Sequence, residues 1–195
     1  MAYVLGFWFA DGYMRQDRSY RIVFVSNDKQ ILSDIRNAAS SSNPIIKSSS
    51  DNSWSLIFYS KYLYKKLEIL GGLRCKSKVI TFPSVPHRYL PDFIRGYFDG
   101  DGSVFYVHYI SSKNNKPRIE LRSNFTSGSR LFLLRLMRIL NKEIGLATKT
   151  LGSYNDGRSL KLGYATRDTQ DLLKFMYYPG FSVGLKRKAL FLTNL

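Results

Sequence analysis

Apolar and polar positions along this 195-residue chain change period several times, and the order of the changes occurs twice. Residues 3–9 are almost continuously apolar, carry Gly6 with Ala10 four positions on, and end in Asp11-Gly12. Such a run predicts a buried helix that stops at glycine. Residues 13–25 then read as strand, turn and strand, the polar positions 16–19 marking the turn. Ser26-Asn27-Asp28 caps a helix over 29–39, and Asn43-Pro44 breaks the chain before strands at 45–48 and Trp54–Tyr59. Ser60 caps a further helix over 61–70, closed by Gly71-Gly72.

The second half repeats this order. Residues 93–98, apolar apart from Arg95, hold Gly96, with Gly100 four positions on and Asp101-Gly102 at the end. A hairpin of 106–110 and 118–125 follows, then the helix Arg130–Ile144, opened by residues 126–129 and closed by Gly145. Strands at 147–151 and 160–165 make a second hairpin, after which Thr166 caps a helix over 168–176. Equivalent positions lie 90 residues apart at Asp11 and Asp101, 101 apart at Ser26 and Ser127, and 106 apart at Ser60 and Thr166. Lengthening at loops is what duplicated units tolerate. The chain therefore reads as an α+β protein of two half-domains, residues 1–80 and 92–195. A stiff linker, 81–91, carrying Pro83, Pro86 and Pro91, joins them. Tyr62, Tyr64, Leu67 and Leu70, and Leu131, Leu134, Met137 and Leu140, fall near helical spacing and are expected in the core.

Charge changes the picture. Thirty Lys and Arg against fourteen Asp and Glu give +16, and the excess is shared between residues 1–92 (13 basic, 7 acidic) and 93–195 (17 basic, 7 acidic). A polyanionic partner lying along a long surface is expected. A single cysteine, Cys75, excludes disulfides within the chain and cysteine-based zinc sites, and fits an intracellular protein. His87 and His108 are too few and too separated for a His-centred metallonuclease. No apolar run reaches membrane-spanning length, so no membrane partner is expected. No signal or transit peptide precedes the first motif, and the sequence leaves open whether a natural N-terminal extension was trimmed.

Small residues four apart lie on one helix face, so the two glycine-bearing helices can bring their backbones together, Gly96 and Gly100 pressing on Gly6 and Ala10. That leaves Asp11 and Asp101 side by side at two helix C-termini. Each carboxylate faces the negative end of a macrodipole, and each is close to the other. A hard divalent cation with oxygen ligands relieves both terms. Two look-alikes fail. Residues 71–77 end in Lys-Ser like a phosphate loop but have Cys75 where glycine is needed. Residues 99–103 lack the glycine and closing glutamate of a calcium loop at the required offsets. Basic clusters at 73–78 and 184–188 follow the last helix of each half at matching places.

With these residues the chain resembles the LAGLIDADG homing endonuclease family in its single-chain, two-motif form. The motif matches run 4–12 (moderately specific) and 94–102 (highly so), and the element order extends the match over nearly the whole chain. The family's earlier acidic position is Asp99 in the second copy but Phe9 in the first. The resemblance implies two pseudo-twofold-related αββαββα half-domains meeting at the motif helices, each with a curved four-stranded antiparallel sheet, together a DNA-binding saddle. A two-stranded ribbon can enter the major groove and read base edges. It implies a site-specific double-strand DNA endonuclease, intron-encoded and monomeric, cutting a long asymmetric target across the minor groove to leave 3′ overhangs. Asp11 and Asp101 would hold the metal, helped by the backbone carbonyls of Ala10 and Gly100. Mg2+ is the expected ion, Mn2+ a substitute, and Ca2+ is expected to support binding without cleavage.

Family position selects Lys78 and Lys188 as catalytic lysines, with Lys76 and Lys186 as substitutes or phosphate contacts. On the strands, Arg21 shares a face with Val23 and Val25, and Arg118, Glu120, Arg122, Asn124 and Thr126 share another. This second set is polar enough to read DNA. Lys47, Lys149 and Lys161 are weaker candidates, as are Ser55 and Tyr164. The alternative partner is intron RNA, bound by a maturase on the same scaffold with little or no cleavage. Either activity places the protein in a bacterial or archaeal cytoplasm or in an organelle.

Overall fold

In the computed structural model, residues 1–72, 79–154 and 157–192 are described. The first half runs α1 (Ala2–Asp11), β1 (Gly12–Gln16), β2 (Tyr20–Ser26), α2 (Lys29–Ala38), β3 (Ile45–Lys47), β4 (Trp54–Tyr59) and α3 (Lys61–Ile69). The second half runs α4 (Leu90–Asp101), β5 (Gly102–Ile110), β6 (Pro117–Ser127), α5 (Arg130–Ile144), β7 (Gly152–Tyr154), β8 (Ser159–Ala165) and α6 (Thr166–Met176), then the short α7 (Lys186–Ala189). The strands form two four-stranded antiparallel sheets with the same order, β1-β2-β4-β3 and β5-β6-β8-β7.

Local chemistry sets most boundaries. The Asp28, Ser60 and Ser129 side chains accept from the N–H groups of Gln30, Leu63 and Phe132, closing the first turns of α2, α3 and α5. Gly145 ends α5 at φ +68°, the left-handed conformation glycine adopts without strain. One expected cap is absent: β8 runs directly into α6, the cap position is Ala165, and no side chain bonds there.

The expected strand at 147–151 is also displaced. Leu146 is buried, the Lys149 N–H donates to Met137 Sδ at 3.3 Å, and Lys149 Nζ pairs with Asp168 at 3.0 Å. These contacts hold the segment against α5 and α6, and pairing with β8 starts only at Gly152. Tyr62 and Leu131, expected in the core, are 69% and 66% exposed, whereas Tyr64, Met137 and Leu140 are buried as expected and Leu67, Leu70 and Leu134 partly so; Phe132 and Leu133 are buried next to Leu131.

The two halves join chiefly through α1 and α4, the most extensive contact between any two elements. A Cβ on Gly6 would lie 2.0 Å from the Phe93 carbonyl oxygen, and a Cβ on Gly96 2.1 Å from that of Tyr3. Phe93 stands to α4 as Tyr3 stands to α1, so the contact is reciprocal. Gly6 sits against the α4 backbone on either side of Gly96, the Phe93 carbonyl and the Tyr97 N, and Gly96 against the α1 backbone on either side of Gly6, the Tyr3 carbonyl and the Phe7 N. Each glycine seats between two residues four apart on the other helix, Phe93 and Tyr97 or Tyr3 and Phe7, as ridges into grooves require. Gly100 does face Ala10, whose Cβ would be 2.4 Å from an added one.

Backbone cannot retreat as a side chain can, so Gly6→Ala and Gly96→Ala should each cost more than about 3 kcal/mol. Gly145→Ala, in open space but at positive φ, should cost about 1 kcal/mol. Urea unfolding of the three variants checks the order; seam variants as stable as Gly145→Ala would refute the contact.

Candidate functional site at the helix seam

Asp11 and Asp101 are the last residues of α1 and α4, and both are partly exposed. The two ends are built alike. Gly12 N–H donates to Trp8 O and Gly102 N–H to Phe98 O, and in each case the aromatic ring occupies the space a Cβ would need, 2.2 Å away. Ring and glycine together turn the chain out of the helix into β1 or β5 while leaving the aspartate at the turn. Asp11 Oδ2 lies 3.1 Å from an added Cβ on Gly100, so the first carboxylate reaches the second helix across the seam. Buried Tyr97 beneath them donates to Thr126 O at 2.9 Å; burial, then the charge of Asp101, holds its phenol protonated well above the ordinary range.

Lys188 is the lysine this region organises around. Only 4% exposed, its ammonium donates to the carbonyl oxygens of Phe98 (2.5 Å), Asp99 (3.0 Å) and Gly102 (2.7 Å). It thus neutralises the α4 C-terminus, where orphan carbonyls and the dipole favour a cation. Burial pulls its pKa down from the usual 10.5 to about 8, against the opposing pull of Asp99, Asp11 and Asp101. Both motif carboxylates are therefore within electrostatic reach of this ammonium. It does not take the Gly100 carbonyl.

The other candidates divide. Lys76 and Lys78 lie outside the described residues. Lys186 is exposed at the start of α7. Arg118 and Arg122 are exposed on β6, Arg122 paired with partly buried Glu120 through bonds of 2.8 and 2.6 Å. Asn124, in contrast, is buried, and Thr126 partly so, with its carbonyl committed to Tyr97. Arg21 pairs with Asp17. Lys47 is exposed near the Trp54 ring, and Lys161 sits 6.0 Å from the Phe105 ring. Lys149 Nζ pairs with Asp168 at 3.0 Å. Ser55, Val25 and Tyr164 occupy sheet positions, Tyr164 buried.

A polar stripe on α4 went unread in the sequence. Buried Arg95 donates to Met176 O (2.8 Å), Val183 O (2.9 Å) and Asp92 (2.7 Å). Asp99, one turn on and also buried, accepts from the Tyr3 hydroxyl (2.8 Å), the Tyr177 hydroxyl (2.5 Å) and the Leu185 N–H (2.8 Å). Burial and then the Asp99 charge raise both phenols well above 10, which keeps them donors. The signal was present as charged residues at 92, 95 and 99, on one face of an otherwise apolar helix.

The folded protein releases the Lys188 proton near pH 8 and the unfolded chain near 10.5. The unfolded state therefore binds more protons between those values, and rising pH favours folding across that window. Relative to Lys188→Met, wild type should gain about 2 kcal/mol between about pH 7.5 and 10. A difference in urea stability that does not vary with pH would contradict this burial.

No family model matches the sequence, and no curated protein sequence does. Solved structures match over almost the full chain. The meganuclease I-SmaMI bound to uncleavable DNA is 16% identical with a TM-score of 0.64, covering 94% of this chain and 85% of its own. The LAGLIDADG meganuclease I-AabMI bound to uncleaved DNA is 13% identical with a TM-score of 0.66 over 98% and 87%. The LAGLIDADG homing endonuclease I-LtrWI bound to target DNA is 13% identical with a TM-score of 0.64 over 99% and 86%. Two four-stranded antiparallel sheets, joined through two glycine-packed helices that end in aspartate, give this chain the fold of the LAGLIDADG homing endonucleases.

Proposed function

We propose that the protein is a metal-dependent, site-specific double-strand DNA endonuclease, acting as a monomer on a long asymmetric target and leaving 3′ overhangs. The observation that carries this reading is the pair Asp11 and Asp101 at the joined ends of α1 and α4, with the Lys188 ammonium buried beside them. The similar folds solved with DNA, the two sheets and the net charge of +16 support it.

The donor set fits a hard cation. Two carboxylates project at helix ends, the Gly100 carbonyl is not among those Lys188 takes, and Gly100 leaves room beside the Asp11 carboxylate. Among the described residues there is no group of three or more His, Cys, Asp or Glu to form an all-protein cage. Mg2+ suits such a site, since it binds through one or two carboxylates and keeps its remaining positions for water and phosphate. Bound there, it would activate water and offset charge on the phosphate undergoing displacement. Asp11 and Asp101 would hold it, with Ala10 and Gly100 carbonyls assisting, while Lys188 adds fixed positive charge where the reacting phosphate gathers negative charge. Lys78 would do the same in the first half. Exposed Arg118, Arg122, Lys47 and Lys186 would meet DNA, where phosphate contacts set affinity and base contacts specificity.

Incubation with randomised plasmid libraries, with and without Mg2+, tests the assignment: Mg2+ should yield linear product cut at one recurring sequence. Asp11→Asn and Asp101→Asn should each lower cleavage by about 100-fold or more while DNA binding, measured at fixed salt, holds. No cleavage of any library, joined with tight binding of a structured intron RNA, would replace the nuclease by a maturase.

A further inference from the structure

We propose that Asp99 is a positioning residue for Lys188, and that this device serves only one of the two catalytic centres. The inference rests on the endonuclease reading for its second part alone. Lys188 lies on α7, a helix of four residues that cannot hold its own place. Its ammonium is bonded to three carbonyls at the end of α4, and the segment between α6 and α7 that delivers it is tied to α4 at successive points. Arg95 holds the carbonyls of Met176 and Val183; Asp99 holds the Tyr177 hydroxyl and the Leu185 N–H. Leu185 is the residue on which α7 begins, and its carbonyl accepts the Lys188 N–H at 2.9 Å. From the Asp99 carboxylate to the Lys188 backbone is therefore one residue's reach. The remaining donor, Tyr3, comes from the other half of the protein, so the same carboxylate links α1 to the segment that delivers the lysine.

Among the described residues, the first half has no such arrangement on α1. The positions equivalent to Asp92, Arg95 and Asp99, 90 residues earlier, are Ala2, Leu5 and Phe9. Phe9 is buried against the rings of Trp8 and Phe93, and the counterpart of Tyr3 is Phe93, which has no hydroxyl to donate. A carboxylate clamp joins α4 to the Lys188 segment, while aromatic packing surrounds Phe9. A change at Asp99 should therefore loosen one catalytic lysine and one strand's cleavage, whereas general damage to the seam would slow both.

Two measurements test this on the full chain. Acetylation with a water-soluble N-hydroxysuccinimide ester, read by mass spectrometry, reports whether Lys188 is held. In wild type it should label slowly against exposed Lys186, and in Asp99→Leu its labelling relative to Lys186 should rise about ten-fold or more as the segment opens. Asp99→Asn, which keeps the shape and an acceptor oxygen, should retain part of the protection. Tyr3→Phe/Tyr177→Phe removes two donors at nearly constant volume and should expose Lys188 as well, covering the case in which Asp99→Leu does not fold.

The second measurement uses a duplex carrying the sequence selected from the plasmid library, end-labelled on each strand in turn. In the Asp99 and tyrosine variants one strand should be cut about ten-fold or more slowly, the other within about twofold of wild type. The strand affected should be the one that Lys188→Met affects. Lys188 protection unchanged in every variant would overturn the positioning role, and equal slowing of both strands would overturn its restriction to one centre. A wild type that cuts no DNA, with Lys188 labelling that follows Asp99, would remove the nuclease reading and leave the positioning role intact.

Discussion

The molecule depends on the approach of two helix backbones. Where Gly6 and Gly96 seat, nothing separates α1 from α4 but main chain, and an added carbon would stand about 2 Å from a carbonyl oxygen on either side. Such proximity fixes the axial register of the helices, because a glycine fits only into the gap between residues four apart on its partner. Register in turn decides where the helices end relative to each other. Asp11 and Asp101 follow the seam glycines by five residues each, so a reciprocal contact upstream delivers two carboxylates to one place downstream. The sheets fold outward from that point, β1 and β5 beginning at the glycine after each aspartate.

Much of this was legible in the sequence, for a physical reason. Small residues four apart, an aspartate and a stop signal are local features, and their recurrence made two helices and two sheets a consistent account. Legibility failed where the outcome depended on distant partners. The reciprocal seating of each glycine against a carbonyl oxygen of the other helix depends on how ridges fill grooves, which sequence spacing does not encode. The strand expected at 147–151 gave way to contacts with Met137 and Asp168, and Asn124 alternated correctly yet ended up buried. Asp99 was noticed only as a departure between motifs, because its partners Tyr3, Tyr177 and Leu185 lie 78 to 96 residues away.

The halves share a fold and differ in how they secure it. On α4 a charged stripe binds the segment after α6; the same positions of α1 are apolar. Buried charge costs solvation and is retained only when fully bonded. Arg95 meets two carbonyls and a carboxylate, and Asp99 meets three donors, so both satisfy that condition.

The Tyr3 to Asp99 bond has a consequence for pairing. If two copies of the second half associated through α4, each Asp99 would meet Phe93 in the place of Tyr3 and keep a buried charge short of a donor. If two first halves associated through α1, each Tyr3 hydroxyl would meet Phe9 and stay unbonded inside the seam. Either like-with-like pairing leaves polar groups unsatisfied where water cannot reach them, while the unlike pairing leaves neither. The bond that crosses the seam therefore acts as a key, by which a repeat that could have remained a symmetric self-associating unit recognises its diverged twin.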